Sequence, residues 1–320
     1  MSNKPTGRVG TMPHYVAPLD DSPLGSVDSV KVSEQRSNLW LDAWRDLRRR
    51  PMFYISSILI LLVVVVALFP TLFTQVPPND ECFLKNSNAG PTPGHPLGYT
   101  RIGCDVFARI VHGTGTSLSV GIIVTILVAG LGILFGALAG FYGGWIDSVL
   151  SRAGDIFFSI PYILAAVVIM SVLSAYRNVW VISLAIGLFA WPSTARILRS
   201  EVLRVKQSDF VMAATALGLS RFRILMKHVL PNSIAPVIVV TTISLGAAIT
   251  AEATLSYLGV GLPSGFMSWG NDISQAQNDL RTAPQVLIYP SLALSITVLS
   301  FIMLGEVVRD ALDPKARALR

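Results

Sequence analysis

Six continuously apolar stretches divide the 320-residue chain, and each approaches the roughly 20 residues that a helix needs to cross the hydrocarbon core of a bilayer. None shows the alternation of apolar and polar positions that is typical of a strand in an outer-membrane barrel. Helices also satisfy their own backbone hydrogen bonds, as lipid requires. The pattern predicts an all-α membrane protein, a bundle of six transmembrane helices at residues 53–73, 116–141, 156–175, 179–195, 234–250 and 286–305.

The composition of the chain supports the same class of protein. Charged residues make up 14% of the chain, against about 25% in a soluble domain, and the mean hydropathy is +0.58. These values exclude a soluble globular enzyme and a disordered protein. The net charge of +6 would favour a nucleic-acid partner in a soluble protein, but no aromatic-interleaved basic run and no zinc-ligand spacing accompanies it. We therefore expect neither nucleic acid nor a structural metal ion as a ligand.

The distribution of lysine and arginine predicts how the bundle is oriented in the membrane. Of the 25 basic residues, 20 fall before the first span, after the second and fourth spans, or after the sixth. Basic residues accumulate on the cytoplasmic side of membrane proteins. Both termini are therefore expected in the cytoplasm, which agrees with an even number of spans.

The segments outside the spans divide the chain further. Residues 1–36 are rich in Ser, Asp, Pro and Gly and are expected to form a disordered cytoplasmic tail. In residues 37–51, Trp40, Trp44 and Leu47 recur at helical spacing, which favours an amphipathic helix in the headgroup region over a solvated extension of the first span. The other predicted parts are an extracytoplasmic loop, a five-helix core and a cytoplasmic tail, at residues 74–115, 116–308 and 309–320.

The sequence holds no residue pattern for catalysis at membrane depth. The histidines fall in the tail, in the predicted outer loop and in an inner loop, as His14, His95, His112 and His228. The chain has no Gly-Lys dipeptide, so it lacks the loop by which many nucleotide-binding proteins cradle phosphate. We predict no catalytic residue and no cofactor or metal bound by this chain. Any energy from ATP must then come from another subunit.

The most informative stretch lies between the fourth and fifth spans, in residues 200–231. Ser208 or Asp209 is placed to cap a short helix whose small residues leave room for another protein to press close. Gly218 is predicted to end this helix, and a second helix is predicted to begin at Ser220 and to run to the fifth span. Apolar residues of the second helix are expected to face the membrane and basic residues the water. The residues concerned are Ala213, Ala214 and Ala216 in the first helix, and Phe222, Leu225, Val229, Arg223 and Lys227 in the second.

At these residues the sequence resembles the permease subunits of ATP-driven bacterial importers, the ABC transporters. Their signature is Glu-Ala-Ala, three residues, Gly, nine residues and Ile-x-Leu-Pro. Met212 stands where the family has Glu, and His228 where it has Ile. We call residues 200–231 the coupling segment. The resemblance implies that this segment contacts the ATPase, and that Asp209 is one of its contact residues. The positions that match the signature are Ala213, Ala214, Gly218, Leu230 and Pro231.

Further segments across residues 40–316 resemble the dipeptide, oligopeptide and nickel branch of this family, and most of all the second permease of peptide importers. The matching segments are HPLG from His95, GFYGGWID from Gly140, AEATLSYLG from Ala251, SWG from Ser268 and RDALDP from Arg309. The resemblance implies the type I importer fold and a bacterial plasma membrane. It also implies import of a peptide that an extracytoplasmic binding protein delivers, through a pore shared with a second homologous permease. One or two ATP-binding subunits, which hold ATP and Mg²⁺, would drive the import.

Two departures from the family pattern and several alternatives remain. The family usually has Gly-Arg-Asp where this chain has Gly103-Cys104-Asp105, and residues 77–94 also differ. A nickel chelate or a sugar is an alternative substrate within the family. A passive channel is the alternative of a different class, although a channel has no need of the small residues, glycine and basic helix of the coupling segment. A membrane enzyme is disfavoured, because the spans lack histidines and carboxylate pairs.

The two cysteines, Cys82 and Cys104, both fall in the predicted extracytoplasmic loop, where thiols are readily oxidised. We predict a disulfide between them, against the alternative of two free thiols. Such a bond would contribute on the order of 3 kcal/mol by restricting the unfolded chain. It would also explain why Cys104 stands where the family prefers Arg.

Glu252 is the one carboxylate within the fifth predicted span and its flank, where an unpaired charge is costly in lipid. Two roles are open for it. It lines the shared pore and favours positively charged groups of the substrate, or it makes a structural hydrogen bond to the outer loop.

Overall fold

The computed structural model describes residues 39–312 of the protein. Within this range the chain is helical, and its β-type pairing is confined to two isolated bridges in the loop before the second long helix. The all-helical class predicted from the sequence is confirmed for these residues, whereas the predicted tail at 1–36 lies outside them. The α-helices are α1 Leu39–Leu47, α2 Pro51–Leu68, α3 Val106–Tyr142, α4 Gly144–Ser159, α5 Tyr162–Val172, α6 Val179–Lys206, α7 Asp209–Ala216, α8 Arg221–Ile224, α9 Leu230–Ser233, α10 Ala235–Tyr257, α11 Trp269–Ala276 and α12 Pro284–Leu312.

Five of the described helices, α2, α3, α6, α10 and α12, are long and apolar enough to cross a membrane. A sixth crossing exists if α4 and α5 are taken together, although the two helices are bent by 76°. The prediction of one continuous span at 156–175 is therefore wrong. α4 ends at Ser159, and Ile160 is extended ahead of Pro161. The proline ring disfavours a helical residue before it, and the missing N–H interrupts the hydrogen-bond ladder.

Four spans extend beyond their predicted apolar cores. α3 begins at Val106 because the Asp105 carboxylate accepts a hydrogen bond from the Ala108 N–H at 2.6 Å and caps the helix. With 37 residues, α3 is about 55 Å long, so it projects beyond a hydrocarbon core of about 30 Å. His112, which we predicted in a loop, consequently lies in this helix. Likewise α6, α10 and α12 run past the predicted ends of their spans.

The packing of α3 against α6 forms the centre of the bundle. Gly132, Gly136 and Gly140 lie one turn apart along α3 and face α6. A Cβ atom at Gly136 would lie 2.5 Å from the carbonyl oxygen of Ala195, so a larger residue would push the two helices apart. Small residues of this kind allow the close approach by which membrane helices associate.

α1 and α2 lie at the edge of the bundle. α1 is held by Ala43, which is buried in a cluster with Val239 of α10 and Ala311 of α12. The chain then turns at Arg50, whose guanidinium donates to Asp310 at the end of α12, at 2.6 Å. α2 packs by one side only and leaves most of its apolar surface exposed, as a lipid-facing helix does.

Candidate functional site

The coupling segment includes the end of α6, where that helix leaves the apolar part of the bundle. α6 ends at Lys206, and the chain turns directly into α7. Ser208 occupies the N-cap position of α7, but its hydroxyl donates to the carbonyl oxygen of Val205 at 2.7 Å instead of capping the helix. Asp209 is the first helical residue, where its negative charge is favourable at the helix N-terminus. The short helix is present, and charge rather than a side-chain cap favours its start.

Gly218 separates the two helices of the coupling segment. Its φ of +76° lies in the left-handed region, which L-residues with a side chain rarely adopt. The N–H of Gly218 donates to Thr215 at 3.0 Å, and that of Leu219 donates to Ala214 at 3.2 Å, which satisfies carbonyls at the end of α7. A Cβ atom at Gly218 would meet no atom within 4 Å. Backbone conformation, rather than packing within the chain, therefore requires glycine here.

The second half of the segment is less regular than we predicted. The Ser220 hydroxyl accepts a hydrogen bond from the Arg223 N–H at 3.4 Å and starts α8. The helix then widens into a π-helical turn, Leu225–Val229, and continues as α9. Pro231 lies exposed within α9, and the fifth span, α10, begins at Ala235.

The buried side of the segment fixes it to the rest of the chain. Val211 and Ala214 of α7 pack in one cluster with Leu225 and Val229, and with Leu198 of α6. Ala214 is only 6% exposed. The residues predicted to contact the ATPase therefore divide into two groups by exposure. The exposed ones are Asp209, Ala213, Gly218 and Pro231, and the buried or half-buried ones are Ala214 and Leu230.

The opposite side of the segment carries large apolar residues that the sequence analysis did not single out. Their exposure ranges from 46% for Phe210 to 80% for Leu217. Phe222 was predicted to face the membrane with Leu225 and Val229. In the described chain Leu225 and Val229 are buried within the protein, whereas Phe222 is 66% exposed. The sequence did contain a signal for this exposed set, because a loop that is predicted to lie at the surface rarely contains so many large apolar residues. We call this exposed set the coupling face: Phe210, Met212, Leu217, Phe222 and Met226.

A recess connects the coupling segment with the end of α3. It has a volume of about 630 Å³ and is lined by residues of both parts, among them Tyr142 and Met212. At its edge, Lys206 Nζ donates to the carbonyl oxygen of Phe141 at 2.6 Å. A cation is favourable there, because the carbonyls at the end of α3 carry partial negative charge. The segment is thus joined to α3 as well as to α6.

The other end of the bundle has a buried polar network around Glu252. This carboxylate is fully buried in α10. It accepts hydrogen bonds from Ser268 at 2.9 Å and Ser256 at 3.0 Å, and Ser117 of α3 donates from 3.4 Å. The Ser117 hydroxyl in turn accepts from the N–H of Trp269 at 3.1 Å. In this chain the Glu252 side chain therefore faces hydroxyl groups of its own fold, and it joins α10 to the segment before α11.

A buried ion pair next to this network was missed in the sequence analysis. Arg109 of α3 donates to Asp272 of α11 through Nε at 2.8 Å and through Nη2 at 2.5 Å. A third donation, from Nη1, reaches the side-chain oxygen of Asn79 at 2.5 Å. The pair is separated by 163 positions in the sequence. No local sequence pattern identifies Asp272 as the partner of Arg109. An arginine at the start of an apolar helix is nevertheless a general sign that a buried acidic partner exists.

The loop before α3 is fixed by a covalent bond and by hydrogen bonds. We call the residues that form them the clasp: Cys82, His95, Cys104 and Asp105. Cys82 and Cys104 form a disulfide with an S–S distance of 1.99 Å. The next residue, Asp105, both caps α3 and contacts His95 Nδ1 at 2.5 Å. Gly103 has a φ of +79°, and a Cβ atom there would clash with the carbonyl of Phe83. The clasp therefore ties the loop to the first turn of α3.

Comparison with known families adds an independent line of evidence. Residues 132–318, more than half of the chain, match the family described as binding-protein-dependent transport system inner membrane component. Residues 38–91 match the N-terminal TM domain of oligopeptide transport permease C. The first match includes the coupling segment, and the second includes α1 and α2.

Curated relatives match along nearly the whole chain. The glutathione transport system permease protein GsiD of Escherichia coli O157:H7 is 34% identical over 302 residues, which are 94% of this chain and 97% of that protein. GsiD of Pectobacterium atrosepticum is 34% identical over 280 residues, 87% of this chain and 92% of that protein.

A solved structure shares the fold. It represents an inward-facing conformation of the MetNI methionine ABC transporter, with a TM-score of 0.53 and 20% sequence identity, and the match covers 63% of this chain and 96% of the solved one. The family match, the relatives and this shared fold agree with the helical bundle. The chain belongs to the binding-protein-dependent transport system inner membrane components, the multi-pass permease subunits of ABC importers, and within them to the peptide-type permeases.

Proposed function

We propose that this chain forms one half of the membrane pore of an ATP-driven peptide importer, the other half being a second homologous permease. A binding protein on the extracytoplasmic side delivers the peptide, and one or two ATP-binding subunits hydrolyse ATP with Mg²⁺ on the cytoplasmic side. Both termini then lie in the cytoplasm of a bacterial cell, and the chain resides in the plasma membrane. The coupling face is the observation that carries this proposal.

The coupling face has the properties that docking of an ATPase requires. Its large apolar side chains lie on α7, on α8 and in the turns that follow each of them, and they remain exposed at the surface of the described chain. Exposed apolar patches of this kind mark protein–protein contacts. The segment beneath is packed against the bundle, because Val211 and Ala214 of α7 are buried in one cluster with Leu198 of α6. A movement of the ATPase is therefore passed to α3 and α6 without loss in a flexible loop.

The substrate is proposed from the relatives. Permeases at 34% identity are named for transport of glutathione, which is a tripeptide, and this favours a small peptide for the present chain. A nickel chelate or a sugar is the alternative within the family. A passive channel is the alternative of a different class, and the coupling face speaks against it because a channel has no ATPase to dock.

Substitution of the coupling face tests the proposal. We expect Leu217→Glu with Phe222→Glu to weaken copurification of the ATP-binding subunits by roughly thirtyfold, because loss of a docking hot spot costs about 2 kcal/mol or more. Leu84→Glu is the matched control, since Leu84 is 75% exposed but lies in the loop before α3. Uptake of radiolabelled peptide into vesicles should fall with the loss of the ATPase and remain normal in the control.

Two results would overturn the proposal. If the complete complex carried substrate down its gradient without ATP, the chain would be a channel. If the protein with Leu217→Glu and Phe222→Glu retained the ATP-binding subunits as well as the Leu84→Glu control does, the coupling face would not be the docking surface. Mass spectrometry of the ligand that copurifies with the cognate binding protein identifies the substrate separately, and a chelate or sugar there would replace the peptide without affecting the ATPase result.

A further inference from the structure

α1 presents a basic and aromatic surface on the side that faces away from the bundle. Its inner side is occupied, because Ala43 is buried against α10 and α12. Leu41, Trp44 and Arg45 lie on the outer side and are exposed, as are Arg48 and Arg49 just after the helix. We call these five residues the interfacial patch.

Within residues 39–312, the charges of this patch are only partly neutralised. Arg50, next to the patch, is engaged with Asp46 at 3.0 Å and Asp310 at 2.6 Å. Arg45 reaches Asp42 at 3.4 Å, with most of its side chain in the open. Arg48 and Arg49 have no acidic partner among residues 39–312. Two adjacent guanidinium groups are therefore without an acidic partner in the described part of the chain, and an anion could bind both.

The position of Arg48 and Arg49 directly before the first span favours a lipid headgroup as the anion that they bind. Arg50 is the N-cap residue of α2, and α2 is apolar from Pro51 onward. Arg48 and Arg49 thus lie within one turn of the start of α2, where a helix that crosses the membrane would place them among the lipid headgroups. Tyr54, in the first turn of α2, donates its hydroxyl to the carbonyl oxygen of Arg48 at 3.0 Å. Tyrosine and tryptophan are the residues that membrane proteins place at this depth.

Trp44 connects the charged and the apolar parts of the patch. The Arg48 guanidinium lies over the Trp44 ring, 5.6 Å from its centroid, and the ring itself is 48% exposed. Phe53 packs edge-on against the same ring at 5.9 Å and fixes its orientation. A ring held in this way has one side under the cation and another open to acyl chains.

We propose that the interfacial patch is a binding site for an anionic phospholipid headgroup. Arg48 and Arg49 bind the phosphate oxygens, for which the planar guanidinium is suited, while Leu41 and Trp44 contact the upper acyl chains. A zwitterionic lipid carries its own ammonium group beside the phosphate and gains less from two arginines. The site therefore selects anionic lipid, by about fivefold per arginine, since each basic residue near a charged membrane surface contributes about 1 kcal/mol.

Quenching of Trp44 by brominated lipids tests this site in the full-length protein. The protein is reconstituted in phosphatidylcholine vesicles to which brominated phosphatidylglycerol or brominated phosphatidylcholine is added in increasing mole fraction. Subtraction of the signal of Trp44→Phe isolates Trp44 from the other five tryptophans of the chain. We expect half-maximal quenching of Trp44 at a mole fraction roughly 25-fold lower for the anionic lipid, a preference that shrinks at high salt.

Three variants make the experiment decisive. Arg48→Gln with Arg49→Gln should abolish the preference, whereas Arg48→Lys with Arg49→Lys should keep it. Arg152→Gln is the matched control, because this arginine of α4 has an 85% exposed side chain and lies outside the patch. Equal quenching by the two lipids in the unmodified protein would overturn the proposal, as would an equal loss in the control. Absence of quenching by either lipid would overturn it too, since the patch would then be covered by protein.

Discussion

The two ends of the bundle are held together by different kinds of interaction. At the clasp end, the loop before α3, α11 and the start of α3 are joined by a disulfide, a buried ion pair and the hydrogen bonds of Glu252. At the coupling end, α7 and α8 are held by apolar packing around Val211 and Ala214. The clasp end buries charged and polar side chains against one another, and Asn88 Oδ1, Asp272 Oδ2 and Asp279 Oδ2 stay buried there without a hydrogen-bond partner among the described residues. The coupling end instead leaves its largest apolar residues exposed.

This difference separates structural from functional surfaces in a permease subunit. A buried polar network has strict geometry, because each unpaired charge carries a large desolvation cost. Apolar contacts are non-directional and tolerate small displacements. The clasp end is therefore expected to act as one rigid body, and the coupling end as a surface that is completed by a partner. The following predictions test the two ends separately, beginning with the largest effect.

The largest loss of stability is expected from Asp272→Ala at the clasp end. This change removes the anion that faces Arg109 and leaves the guanidinium buried with Asn79 as its remaining side-chain acceptor. Breaking one side of a buried pair costs about 3 to 5 kcal/mol. The free energy of unfolding in detergent, from denaturant titration, measures the effect.

The control for this prediction is an exposed pair elsewhere in the bundle. Asp155→Ala removes the partner of Arg196, which lies 2.8 Å away with about half of its side chain in solvent. Exposed ion pairs contribute about 0 to 1 kcal/mol. Equal losses for Asp272→Ala and Asp155→Ala would mean that the clasp end is not the rigid body we describe.

A second prediction concerns the disulfide of the clasp. Cys82→Ser with Cys104→Ser should lower the free energy of unfolding by about 3 kcal/mol through greater freedom of the unfolded loop. Binding of the ATP-binding subunits should remain unchanged, because the coupling segment lies at the other end of the bundle. Rapid labelling of both cysteines by a maleimide, without prior reduction, would contradict the bond itself.

The sequence was sufficient to predict where most of the spans lie, but it was insufficient to predict the contacts between them. Continuous apolar runs identify α2, α3, α6, α10 and α12 because a lipid-spanning helix has no other requirement as strong. The break at Pro161 was missed because hydropathy does not change there, although a proline inside an apolar run was a usable signal. The partner of Arg109 is 163 positions away, and only the tertiary fold brings Asp272 to it.

The coupling segment was predicted in outline but not in its orientation. Its residue types and spacing gave the position of the short helix and its end at Gly218, because these features are local. Which side of α7 is buried depends on the position of α6 and of the π-helical turn, and neither is encoded locally. For this reason the prediction from the sequence gave Ala213 and Ala214 the same role, whereas in the structure Ala213 is exposed and Ala214 is buried.

The smallest effect on stability, and the sharpest test of the coupling end, comes from these neighbouring alanines. Ala214→Leu adds volume to a packed cluster and should destabilise the chain by about 1 to 3 kcal/mol. Ala213→Leu adds the same volume on the exposed side and should change stability by less than about 0.5 kcal/mol.

For Ala213→Leu, we expect the loss to appear in transport instead of stability. The larger side chain would stand on the surface that the ATPase approaches beside the coupling face, so peptide uptake should fall although the protein folds normally. The test compares ATP turnover, subunit assembly and uptake for both variants, purified with the partner permease and the ATP-binding subunits. If Ala213→Leu assembled and transported normally, the ATPase would not press against this side of α7, and the docking surface would have to lie nearer Phe222 and Met226 on the second helix.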